Sequence, residues 1–160
     1  MVDAYIGLGS NLGKRRNNID NSISLLARIG DLKVVDKASF YETEPVGPVQ
    51  PWFVNTAIRI ETDLEGQRLL SLCKEVEKRI GRIDSLNWGP RLVDLDILLV
   101  GSEITHEDSL DVPHPEIQNR RFVLLPLVEI NPDLVHPELN VPIEQLLDEA
   151  ESDKKVIKIT

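Results

Sequence analysis

Hydrophobic positions along the chain switch between two periods, and the switches divide it into elements. Residues 4–9, AYIGLG, are a short apolar run closing on glycines and predict a strand. Between residues 14 and 29, Ile19, Ile23, Leu26 and Ile29 take the spacing of one helical face, and Gly30 stands where a C′ glycine belongs. Residues 32–42, with Val34, Val35, Phe40 and Tyr41, predict a second strand. TEPVGPVQP, residues 43–51, carries three prolines and a glycine and predicts a loop of the kind that carries function.

Residues 53–62, FVNTAIRIET, alternate as a strand, and Leu69, Leu72, Cys73, Val76 and Ile80 mark a helix over 64–80 closed by Gly81. GRIDSLNWGP is a second irregular loop, followed by a strand over 92–100. Shorter pieces follow: VPHPEIQNRRF, a helix over 123–129, another element over 143–149, and a terminal KKVIKIT suited to an edge strand whose lysines discourage further pairing. Strand–helix–strand occurs twice. The pattern predicts an α+β fold, a ferredoxin-like sandwich with helices packed on a mostly antiparallel sheet, in a single domain over 1–160.

The strand LVDLDILLV has two carboxylates in an apolar run. Alternation aims Asp94 and Asp96 at one face, with α-carbons about 6.8 Å apart. Leu92, Leu98 and Val100 are expected on that face, and Val93, Leu95, Ile97 and Leu99 on the other. Two charges at that separation repel by roughly 2 kcal/mol at an effective dielectric near 20. Solvent, an arginine or a cation can relieve this. Hard oxygen donors suit Mg²⁺, which completes its shell with water and substrate phosphates. The plainer alternative is a solvated strand end.

The formal net charge of −9 argues against a nucleic-acid or anionic-membrane partner. Against that background Lys14, Arg15 and Arg16 cluster, and Arg79, Arg82, Arg91, Arg120 and Arg121 lie near the motifs, so a small anionic ligand is expected. Cys73 is the only cysteine, which excludes an intrachain disulfide and suits a reducing cytoplasm. The start of the chain does not read as a signal peptide, and no apolar run approaches the ~18 residues of a membrane span. GLGSNLGK, residues 7–14, matches neither a Walker A loop nor a dinucleotide fingerprint, and reads as a tight turn with Ser10 or Asn11 as an N-cap. His106, His114 and His136 form no metal-binding spacing. His106 and His136 are expected at the surface, and His114 is either a turn residue or a phosphate donor.

From AYIGLGSNLG, SFYETEPVGP, FVN, EVEKRIGR, WGPRLVDLDILL and VPHPEIQNRRFVLLPL, in that order, the chain strongly resembles the 6-hydroxymethyl-7,8-dihydropterin pyrophosphokinases. That family transfers the terminal diphosphate of ATP to the pterin hydroxymethyl oxygen in folate biosynthesis, releasing AMP. The resemblance implies a cytoplasmic monomer that uses two Mg²⁺ ions, with Asp94 and Asp96 as metal ligands. Arg82 and Arg91 would bind phosphates and stabilise developing charge, so that Arg82, Arg91, Asp94 and Asp96 form the catalytic set. His114 and Arg120 would reach the triphosphate, and Leu70, Glu77 and Ile97 would hold the nucleotide. The pterin would stack between Phe53 and Phe122, beside Thr43, Val46, Asn55 and Asp94, with Trp88 closing over pterin and nucleotide alike.

The chain departs from the family pattern in several places. Asp84 and Asn87 replace basic residues of the second loop, and Ser109 replaces another. Asp111 stands for a hydroxyl residue, Lys74 for Gln, and Glu44 for a frequent proline. These changes leave room for altered ATP affinity or loop closure. The competing readings are a two-metal nucleotidyl transferase, a pterin- or nucleotide-binding relic without catalysis, and a structural domain.

Overall fold

The computed structural model describes residues 1–45, 47, 49–81, 92–151 and 154–160. In chain order the elements are β1 (Val2–Ser10), α1 (Arg15–Ala27), β2 (Leu32–Lys37), β3 (Tyr41–Thr43), β4 (Phe53–Thr62), α2 (Gly66–Gly81) and β5 (Asp94–Val100). There follow β6 (Thr105–His106), β7 (Asp111–Val112), a 3₁₀ turn (Ile117–Asn119), α3 (Arg121–Ile130), β8 (Val135–His136), β9 (Val141–Pro142), α4 (Ile143–Glu149) and β10 (Val156–Lys158). The main sheet runs β10-β3-β4-β1-β5, with β2 also paired to β4, and its pairs are antiparallel. β1 and β4 at its centre with β5 and β2 outside them is the ferredoxin-like order that the doubled strand–helix–strand pattern predicts.

Helices cover both faces. On one, Ile19 and Leu26 of α1 and Leu69, Cys73 and Val76 of α2 pack on Ala4, Ile6, Leu8, Val54, Ile58 and Ile60. On the other, Leu124 and Leu127 of α3 and Ile143 and Leu146 of α4 pack on Tyr5, Ala57, Leu98 and Leu99. Alternation along β1 and β4 supplies both cores, since even residues face the first layer and odd residues the second.

Four local expectations change. The strand foreseen over 32–42 is two strands, because the Ala38 carbonyl accepts the Thr56 hydroxyl (3.1 Å) and Phe40 pairs outward with Ile159 and Thr160. α1 has neither Ser10 nor Asn11 as its cap. Its N-cap is Lys14, without a side-chain bond, and the turn is held from inside the helix by Asn18 Nδ2, which donates to the Leu12 carbonyl (2.9 Å). Nor is Gly30 a left-handed cap: α1 ends at Ala27, and the helical Arg28 caps it. In β5, Tyr5 pairs with Leu99 and Ile6 with Ile97, so Leu98 is the extra residue of a bulge. The bulge returns Val100 to the α1–α2 face and leaves Leu98 and Leu99 together under α3, reversing the faces expected for Leu99 and Val100.

Of the histidines, His106 lies at the surface between Asp111 (Nδ1, 2.5 Å) and Glu138 (Nε2, 2.8 Å). His136 is instead buried, because its Nδ1 accepts the backbone N–H groups of Glu138 and Leu139 and organises the β8–β9 turn.

Candidate active site

Between β1 and α3 the second face opens into a cavity of about 520 Å³. Its floor is made by small residues. Gly9 pairs with Asn55 on one side and Asp94 on the other, and Gly7 likewise joins Ala57 to Asp96. Two rows therefore cross the sheet, each with an acidic residue at the β5 end and no side chain in the middle. At about 4.8 Å between strands, each row leaves roughly 10 Å between the backbones of β4 and β5, enough for a flat ligand. At Gly9 the approach is close, since a Cβ there would lie 2.6 Å from Asn55 Oδ1.

At the β3–β4 end, Asn55 Nδ2 donates to the buried Thr43 Oγ1 (2.9 Å), and both residues line the cavity. Phe53 and Phe122 line the same space, from β4 and from the first turn of α3. α3 begins without a side-chain cap on its first N–H groups, and Arg120, Arg121, Phe122 and Val123 all reach the cavity. The positive pole of a helix beside two guanidinium groups suits an anion. The Arg120 guanidinium also stands 5.8 Å from the Phe122 ring centroid.

At the β5 end, Asp94 is half-buried and Asp96 exposed, both lining the cavity. Among the described residues no cluster of three or more His, Cys, Asp or Glu could enclose a metal ion. An open pair of carboxylates that leaves most of a shell to water and phosphate is the donor set Mg²⁺ uses. Burial lowers the pKa of His114, while Asp96 pulls it up and Arg120 pushes it down. Its Nδ1 accepts the Glu116 backbone N–H (3.1 Å), so the neutral ring carries its proton on Nε2 and can donate from there.

The family model of 7,8-dihydro-6-hydroxymethylpterin-pyrophosphokinase (HPPK) matches residues 5–132. The chain belongs to this family. A Haemophilus influenzae 2-amino-4-hydroxy-6-hydroxymethyldihydropteridine pyrophosphokinase is 39% identical over 160 residues, covering 99% of each chain. Folic acid synthesis protein fol1 of Schizosaccharomyces pombe is 39% identical over 150 residues, which are 93% of this chain but 20% of that protein. A solved structure of Plasmodium falciparum HPPK-DHPS with pteroate has a TM-score of 0.75 at 15% identity, over 92% of this chain and 44% of that one. This HPPK-family chain thus spans the length of some relatives and under half of others, and the structural likeness speaks for the fold.

Of the residues singled out in the sequence, the HPPK-family fold brings Thr43, Phe53, Asn55, Asp94, Asp96, Arg120 and Phe122 to one cavity. It does not bring Leu70, Glu77, Ile97 or His114 into the lining of that cavity. Ile97 is buried in the core on the α1–α2 side and Leu70 packs on the same core. Glu77 Oε2 accepts the Leu95 backbone N–H (2.8 Å), pinning β5 between the two aspartates. Val46, Arg82, Trp88 and Arg91 lie outside the described residues. Sequence reasoning missed Gly7, Gly9 and Ala57 as the floor. The signal was their period of two across β1 and β4, hidden because the glycines were read as a turn.

Proposed function

We propose that this chain transfers the diphosphate of ATP to 6-hydroxymethyl-7,8-dihydropterin, giving the pterin diphosphate and AMP. The observation that carries the reading is the pair of cross-sheet rows, with carboxylates at one end, a hydrogen-bonding amide at the other, and a glycine floor between. A pterin lying on Gly7 and Gly9 places its polar edge against Asn55 and Thr43 and its faces against Phe53 and Phe122. Offset packing of such rings contributes about 1 kcal/mol beyond burial. Its hydroxymethyl group then points toward β5.

The new bond joins the hydroxymethyl oxygen to the β-phosphorus of ATP. The bond that breaks joins that phosphorus to the oxygen kept by AMP, and the hydroxyl proton leaves to water. Such a transfer needs positioning and charge neutralisation and no covalent nucleophile. Asp94 and Asp96 would hold two Mg²⁺ ions, which supply charge neutralisation at the attacking and leaving oxygens. Arg120 and the Nε2–H of His114 would bind phosphate oxygens, joined by Arg82 and Arg91, while Val46 and Trp88 would complete the pterin pocket and its cover. Leu70 would meet the nucleotide, and Glu77 and Ile97 would serve it indirectly by fixing β5.

We further propose a cytoplasmic monomer without nucleic-acid or membrane partners. Its formal charge of −9 repels polyanions, and no helix among the described residues is long and apolar enough to cross a membrane. The deciding experiment incubates the protein with ATP, Mg²⁺ and the dihydropterin. Pterin-dependent AMP is expected. Inorganic pyrophosphate would support a nucleotidyl transferase, and tight pterin binding without AMP would support a binding relic.

A further inference from the structure

The last strand, β10, lies beyond the family-wide match over 5–132, yet it forms part of the cavity wall, with Lys154 and Val156 lining it. β10 pairs antiparallel with β3, Val156 opposite Thr43. At the end of that ladder the Glu44 backbone N–H donates to the Lys155 carbonyl (3.0 Å), and Glu44 Oε1 accepts the Lys155 backbone N–H (3.2 Å). The side chain thus closes a two-bond clasp one residue from Thr43, whose hydroxyl accepts Asn55 Nδ2.

The other end of the proline-rich loop is tied by a different element. Asn11 Nδ2 donates to Gln50 Oε1 (3.1 Å) and to the Pro51 carbonyl (3.3 Å). Arg15 Nη1 donates to the Trp52 carbonyl (2.9 Å), and its Nη2 meets Glu42 (3.3 Å). Glu44 on one side of the loop is therefore tied to the segment entering β10, and Gln50, Pro51 and Trp52 on the other side to the turn after β1 and the start of α1. A proline at position 44, frequent in the family this chain resembles, has neither the N–H nor the carboxylate that the clasp uses.

We infer that Glu44 is a positioning residue for the pterin: through Lys155 it fixes Thr43, and with it the Asn55 amide that reads the pterin edge. The inference rests on the proposed function. It concerns the pterin end alone, because β3 is separated from the Asp94–Asp96 strand by β4 and β1.

The test is steady-state kinetics of the full-length chain with each substrate varied, for wild type, Glu44→Ala, Glu44→Gln and Glu44→Pro, with thermal unfolding of each. Glu44→Ala should raise the pterin KM about tenfold, corresponding to about 1.4 kcal/mol. The ATP KM and kcat should stay within about twofold. Glu44→Gln keeps an oxygen acceptor and should recover most of the loss, whereas Glu44→Pro should do no better than Ala. Should the Ala variant not fold, the Gln and Pro variants carry the comparison. A parallel rise in both KM values, a Gln variant as impaired as Ala, or folded variants indistinguishable from wild type overturns the inference. A wild-type protein that forms no pterin-dependent AMP overturns the functional reading instead, before any variant is compared.

Discussion

Gly9 and Asn55 face each other across the β1–β4 ladder with no room for another atom, a Cβ on Gly9 falling 2.6 Å from Asn55 Oδ1. The close approach lets the amide lie low against the floor while Thr43 holds its other end. Gly7, two residues earlier, is less constrained, since a Cβ there would touch Leu98 at 3.4 Å, close to an ordinary contact with a flexible side chain.

Gly9→Ala should therefore displace Asn55 and weaken pterin binding by at least about tenfold. Gly7→Ala should cost clearly less, and it gains the lower chain entropy of alanine in a strand. Calorimetric titration of both variants with the dihydropterin, beside their unfolding midpoints, checks this. Equal losses would mean that the floor acts by depth alone and that the Asn55 contact is incidental.

Asp94→Asn and Asp96→Ala should each lower turnover at least about a hundredfold while leaving the fold intact, because both carboxylates face the cavity rather than the core. Wild type should also gain stability from Mg²⁺ with a non-hydrolysable ATP analogue, about 2.7 kcal/mol at a hundred times the dissociation constant. The Asp96 variant should lose most of that shift. A shift that persists in full would place the cation elsewhere.

The sheet was legible because most of its strands alternate: β4 runs over the predicted 53–62, β1 differs from expectation only at its ends, and β5 keeps the expected faces up to its bulge. That Asp94 and Asp96 share one face was legible for the same reason, and that face is the one that lines the cavity. The floor was not, since Gly7 and Gly9 matter for side chains they lack, and only the partner strands reveal what a Cβ would strike. The bulge at Leu98 was equally hidden, as a run of four apolar residues looks the same in either register. His136 resisted reading because its burial comes from backbone N–H groups two and three residues on, not from apolar neighbours in sequence.

Glu77 illustrates a residue whose position was legible and whose contact was not. Its carboxylate, 9% exposed, takes the Leu95 N–H between Asp94 and Asp96, with Lys74 Nζ at 3.5 Å. Glu77→Ala should cost about 1.5–3 kcal/mol by chemical unfolding, the range for a hydrogen bond to a charged group. Turnover should fall with it as β5 shifts, and Glu77→Gln should restore more stability than Ala does. An Ala variant with wild-type stability but a raised ATP KM would return Glu77 to direct nucleotide contact.

Glu129 ties α3 to β3 and should make that tie sensitive to acid. Burial works against its charge. The Tyr41 hydroxyl (2.6 Å), the Ser39 N–H (2.8 Å) and hydroxyl (2.9 Å), and Lys158 outweigh that and lower its pKa from the ordinary 4.5. Burial and this carboxylate together push the Tyr41 hydroxyl up, so it stays a donor throughout the working range. A carboxylate held lower in the folded than in the unfolded chain binds fewer protons when folded. Its stabilisation is thus complete above 4.5 and fades as pH falls from there through the lowered native value. Thermal unfolding of wild type and Glu129→Gln between pH 7 and pH 3 should show the wild-type advantage shrinking below about pH 4.5. An advantage that stays constant to pH 3 would mean that Glu129 acts by packing rather than by charge.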